Sequence, residues 1–145
     1  MVLVVIALFT GAAVFSFQGS DDEDVLRKPA GELKRLAQDA VRQAGVFEEP
    51  QVIQFTGDGF ALLHHDGAGE HWITRTHTPP EMRLKVRHWG QEAWKNAAGE
   101  NWMITSGGLC EPLAVRLEWK QSFLEVRFHP LTGGVAEETL QIQSP

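Results

Sequence analysis

The opening of the chain, Met1 to Phe17, carries no charged residue, and its only hydroxyl groups are those of Thr10 and Ser16. Such a segment is not stable as a lone helix in water. It must enter lipid, enter a protein core, or be cut away. As a helix it spans about 25 Å, at the short end of what crosses a bilayer. A cleavable signal has an equally short apolar core but normally starts with Lys or Arg, and Met1-Val2-Leu3-Val4-Val5 has neither. A buried core helix is the least suited of the three, because the run lacks polar positions to turn outward. The sequence thus predicts a transmembrane helix over residues 1–17, with a signal peptide cleaved near Ala13 as the second reading.

Acidic residues follow directly, in Gln18-Gly19-Ser20-Asp21-Asp22-Glu23-Asp24, and the first basic residues are Arg27 and Lys28. Basic residues beside a membrane tend to stay cytoplasmic, while acidic ones give little guidance. Nothing close to the apolar run holds the rest of the chain inside, which favours an exported body. Residues 18–24 read as an acidic linker, although Ser20 followed by Glu23 also fits a capping box that begins a helical turn. A calcium loop does not fit, because the alternation and glycine of such loops are missing.

The amphipathic pattern is clearest from Ala30 to Ala44. Leu33, Leu36, Ala37, Ala40, Val41 and Ala44 recur on one helical face, and charged or amide residues cover the other. Gly45 is placed to stop the helix in a left-handed conformation. Pro29 either opens this helix or lies within a longer one that begins near Val25. The face is only moderately apolar, so it is expected to lie on a sheet.

Beyond Pro50 the period changes to that of strands. Gln51–Thr56 and Phe60–His64 flank Gly57-Asp58-Gly59, a strong hairpin signal. A loop is expected from His65 to Gly69 and a strand from Trp72 to His77, ended by Pro79-Pro80. Met82, Leu84, Val86 and His88 alternate with Arg83, Lys85, Arg87 and Trp89. Gln91–Gly99 reads as a short helix or a loop, and Asn101–Thr105 as a strand. Leu113, Val115, Leu117 and Trp119 then oppose Ala114, Arg116 and Glu118, while Leu124, Val126 and Phe128 oppose Glu125, Arg127 and His129. These are two half-buried antiparallel strands. A last strand is expected over Val135–Ile142. Helices first and strands after indicate an α+β fold, with a hydrophobic N-terminal helix and an amphipathic helix packed on an antiparallel sheet.

The length of 145 residues fits one exported domain, residues 25–145, behind the helix and linker. A net charge of −6 argues against nucleic acid as a partner, which would require a basic face. The single cysteine, Cys110, excludes an intramolecular disulfide and reads as structural, although a pairing with one of the histidines as nucleophile and base is conceivable chemistry. His64, His65, Asp66, His71 and His77 form the one group with metal-ligand chemistry, but their spacing matches no recurring signature. Adjacent His64 and His65 would face opposite sides of a strand. Gly107-Gly108 lacks the Lys and helix of a phosphate loop, and no Gly-x-Ser-x-Gly is present. The expectation is a non-enzyme with no cofactor, no metal and no small-molecule substrate. The tryptophans at 72, 89, 94, 102 and 119 remain; Trp119 lies on the apolar side of its strand, and exposed ones would serve as interface anchors.

Several of these pieces together resemble a known family. The run from Met1 to Phe15 looks like the hydrophobic helix of type IV pilin-like proteins. Phe128-His-Pro-Leu-Thr-Gly-Gly-Val135 resembles the closing hairpin of the H-type minor pseudopilins of type II secretion, and Gly108–Leu117 fits the stretch before it. The resemblance implies a structural filament subunit held in the inner membrane by one span, with its C-terminal domain in the periplasm. Its partners would be other pilin-like subunits and the membrane. Val2, Leu3, Val4, Val5, Ile6, Leu8, Phe9, Val14 and Phe15 would anchor the subunit and later line the filament core, with Gly11, Ala12 and Ala13 allowing close packing. The family is processed after a glycine and its mature chains open on Phe-Thr-Leu-x-Glu. Met1 falls about where the residue after that glutamate would lie, so no processing residue is carried over. The alternative is an exported soluble α+β binding domain.

Overall fold

The computed structural model describes the backbone of residues 2–66 and 69–143 and the side chains of residues 21–63 and 74–143. Among the described residues one helix, α1 (Val2–Phe47), precedes nine strands. The segment expected as an acidic linker is therefore helical. From Asp22 onward the reason is visible: Glu23 accepts from Arg27 one turn later at 2.6 Å, and Asp22 lies 3.5 Å from Lys120. Leu26 behind them is completely buried. Acidic side chains that find cations on and beside the helix have no cause to interrupt it. Pro29 sits inside the helix, which leaves the Val25 carbonyl without its usual amide donor.

The helix also outruns its expected stop. Gly45 remains helical, and the left-handed residue that ends α1 is Glu48, with φ of 53°. Pro50 dictates this position, because a proline disfavours helical geometry in the residue before it. Leu26, Ala30, Leu33, Ala37, Ala40 and Ala44 are buried at 0–1% exposure and form the face that meets the strands. Alanine at four of these six positions lets the helix approach the strands closely.

The strands are β1 (Gln51–Thr56), β2 (Gly59–Asp66), β3 (Gly69–His77), β4 (Arg83–His88), β5 (Lys95–Asn96), β6 (Asn101–Ile104), β7 (Leu113–Trp119), β8 (Ser122–Phe128) and β9 (Val135–Gln141). They form two antiparallel sheets instead of the single one expected, in the orders β3-β2-β1-β6 and β5-β4-β7-β8-β9. The expected loop at His65–Gly69 is mostly strand, since β2 and β3 pair out to Asp66 and Gly69. Gln91–Gly99 is a loop with the short strand β5 inside it.

The alternations hold except at Ala114, which is buried although it lies on the opposite side of β7 from Leu113 and Val115. Val115, Leu117, Leu124, Val126 and Phe128 are buried, while Arg127 and His129 are exposed. Helix and both sheets share one core. The sheets meet at Trp102 of β6, whose ring lies 4.7 Å from that of Phe128 on β8. The segment between β5 and β6 is bonded to both sheets in turn: the Ala97 amide donates to the Leu84 carbonyl of the second sheet at 3.0 Å, and the Glu100 carbonyl accepts from the Phe55 amide of the first at 2.9 Å. The closing hairpin expected from Phe128 to Val135 is present as β8 and β9.

Candidate interaction surfaces

The residues expected to anchor and assemble the chain, from Val2 to Phe15, belong to α1, but their side chains lie outside the described ones. Among the described residues no helix is long and apolar enough to cross a membrane. Of the histidine group, the side chains of His64, His65, Asp66 and His71 are likewise outside the described set. The backbone register sets His64 opposite His71 and places His77 opposite Gly59, six positions further along β3 and thus about 20 Å away. His77 therefore does not join the others. Its Nδ1 lies 3.2 Å from the Asp58 carboxylate instead. Among the described residues no three His, Cys, Asp or Glu side chains converge as metal ligands.

Asp58 explains why that hairpin end is well fixed. Its carboxylate accepts hydrogen bonds from Thr56 at 2.9 Å and Arg75 at 3.2 Å, which hold its pKa below the usual range. Its carbonyl accepts from the Thr78 amide at 2.9 Å. Cys110 is buried, and its thiol lies within 3.3 Å of the His129 carbonyl. Burial pushes its pKa up, which keeps the sulfur protonated and poorly nucleophilic.

The side chain of Trp72 lies outside the described ones, and the tryptophans among the described residues divide three ways. Trp102 is completely buried, and its Nε1 donates to the Glu111 carbonyl at 2.7 Å. Trp119 packs half-buried against the core, as its place in the alternation suggests. Trp94 is half-buried beneath the Arg87 guanidinium, at 4.7 Å. Trp89 stands 79% exposed on the rim of a depression of about 380 Å³, floored by Pro112, Leu113, Phe128 and Pro130. A second and larger depression, about 690 Å³, separates α1 from β3.

Beside Trp89, His88 forms a clasp that sequence patterning did not reveal. Its Nδ1 lies 2.7 Å from Glu111 and its Nε2 lies 3.2 Å from Glu100, which also meets Lys95 at 3.1 Å. Both ring nitrogens have an N–H to donate only in the imidazolium form. The clasp joins the end of β4 to the segments before β6 and β7, and so ties the two sheets together. The lone local hint is that His88 continues the buried side of β4.

Two carboxylates support the second sheet electrostatically. Lys95, then His88, keep Glu100 below the usual glutamate range. Burial pulls the Glu118 pKa upward, but Lys85 at 2.8 Å with Arg83 and Arg116 outweighs it, and the net shift is downward. A folded-state pKa below the unfolded one stabilises the fold above the unfolded pKa, and that stability is lost as pH falls through the folded value. Unfolding free energy is therefore expected to decline as pH drops below the ordinary carboxylate range. Glu118→Gln should cost about 1–2 kcal/mol at neutral pH and flatten the acid slope, as read by urea unfolding across a pH series.

With the geometry established, the molecule is a pseudopilin-like fold: a long N-terminal helix laid on antiparallel strands that close in a hairpin. Comparison with solved structures finds this fold in the minor pseudopilin EpsH from the type 2 secretion system of Vibrio cholerae. The TM-score is 0.53 at 11% sequence identity, over 78% of this chain and 93% of that one. No family model matches the sequence, and no curated protein matches it significantly.

Proposed function

We propose that this chain is a structural subunit of the minor pseudopilin kind, of the H type, and serves a type II secretion filament. The apolar run from Val2 to Phe15 holds it in the inner membrane before assembly and packs among the helices of other pilin-like subunits afterwards. The α+β domain faces the periplasm. The role is structural and not catalytic. The observation that carries this reading is the fold held in common with a minor pseudopilin over most of both chains. The uncharged N-terminal run and the Phe128–Val135 hairpin support it from the sequence side.

Carbonate extraction of cell membranes tests the anchor. The intact chain is expected in the pellet. Val5→Asp or Leu8→Asp places a carboxylate near the centre of the span at a cost of about 2.5–3.5 kcal/mol, and should move most of the protein to the supernatant. Secretion should fall with it. Unchanged fractionation and export in both variants would overturn the reading. Release of a chain cut near Ala13 would instead favour the exported binding domain.

A further inference from the structure

Of the 13 lysines and arginines, all but Lys28, Arg35 and Arg87 meet a carboxylate among the described residues. Arg87 is occupied by the face of Trp94. The two cations left over, Lys28 and Arg35, line the same depression, the groove of about 690 Å³ between α1 and β3. In a chain with a net charge of −6, that concentration of unneutralised positive charge marks one place. Glu32 lies between them and offsets part of it.

The opposite wall supplies the second element. Among the described residues β3 is the outer strand of its sheet, paired with β2 on one side only. Thr74 and Thr76 lie opposite Leu62 and Phe60, both buried, so they share the face that β2 turns toward the helix. They line the groove, and their hydroxyls add polar groups to its floor. An open strand edge beside free cations suits an extended chain carrying carboxylates: the edge takes the backbone and the cations take the side chains.

We infer that the α1–β3 groove docks an extended, acidic segment of a partner protein, which adds to β3 as a strand and sets carboxylates against Lys28 and Arg35. Seven residues of helix separate those two cations by about 10.5 Å. Carboxylates two to four residues apart on one face of a strand, about 7–13 Å, match that span. The groove lies wholly within the folded domain, so its occupancy is separable from membrane anchoring.

The probe is a fluorescein-labelled peptide, Thr-Val-Asp-Val-Thr-Val-Asp-Val-Thr, titrated with the full chain in neutral detergent and followed by polarisation. Saturable binding that weakens with salt is expected, together with slowed amide exchange in β3. Lys28→Glu with Arg35→Glu should weaken binding about tenfold, and Glu32→Gln should tighten it about twofold. All three positions lie on the helix surface, and unchanged circular dichroism verifies that the variants fold. A peptide with Lys in place of both Asp residues should not bind. No saturable binding of the acidic peptide would overturn the proposal, as would equal affinity for the double variant. Vesicles containing phosphatidylglycerol that bind through Lys28 and Arg35 while the peptide does not would also overturn it, and would assign the patch to a lipid surface.

Discussion

Trp102→Ala is expected to lower the unfolding free energy by about 3–5 kcal/mol, a large share of what holds a domain of this size together. The side chain is completely buried, packs tilted against Phe128 with ring centroids 4.7 Å apart, and donates its Nε1 proton to the Glu111 carbonyl at 2.7 Å. Truncation removes all three contributions together. It opens a cavity where the sheets meet and leaves the carbonyl of Glu111 without its side-chain donor. Glu111 also holds one side of the His88 clasp, so the loss should spread to the seam between β4 and β6. Trp102→Phe separates the parts: it keeps most of the apolar volume, forfeits the hydrogen bond, and should cost about 1–3 kcal/mol. Guanidinium unfolding followed by circular dichroism reads both. If the alanine variant loses less than about 1 kcal/mol, the core is not organised around this residue.

Sequence patterning captures the parts of this molecule that are local. Burial periodicity marks the helix face from Leu33 to Ala44. Strict alternation gives β4, β7 and β8, and Gly57-Asp58 gives the first hairpin, because in each case the side chains that decide the matter lie within a few residues of one another. It does not show which strands pair, since alternation assigns a face to a strand but not a neighbour. For that reason the division into two sheets was not legible, nor was Trp102 as their meeting point. Residues 18–24 read as a linker from sequence because Lys120, the cation that meets Asp22, lies far along the chain. Gly45 suggests an earlier helix stop than the one at Glu48, which Pro50 imposes. The interaction surfaces were less legible still. The group at His64–His77 has metal-binding chemistry in its composition, but strand register carries His77 away from the rest. The clasp of Glu100, His88 and Glu111 joins three separate segments and leaves no short motif.

The turn between β8 and β9 provides the other large effect. Gly133 sits at φ of 66°, in the left-handed region, against the final turns of α1. A Cβ there would lie 2.7 Å from Val41 Cγ2 and 3.1 Å from the Ala37 carbonyl oxygen. Gly133→Ala therefore combines about 1–2 kcal/mol for a left-handed alanine with about 1–3 kcal/mol for overpacking, and a total of about 2–5 kcal/mol is expected. The two terms respond differently to a second change. Val41→Ala deletes the methyl that the new Cβ strikes but leaves the backbone conformation and the Ala37 carbonyl in place. Alone it costs about 0.5–2 kcal/mol, because Val41 is only partly buried against the core. Combined with Gly133→Ala it should be less destabilising than the two single variants added together, by about 1 kcal/mol or more. Strict additivity would mean that the turn does not rest on the helix at Val41. The test bears on assembly as well as stability. The seating of the β8–β9 hairpin on α1 fixes how the closing strand sits relative to the helix. If the filament reading holds, Gly133→Ala should lower incorporation in step with its loss of stability, and the double variant should fall where its own stability places it. Comparing thermal unfolding with the amount of chain cross-linked to other pilin-like subunits would show whether the two move together.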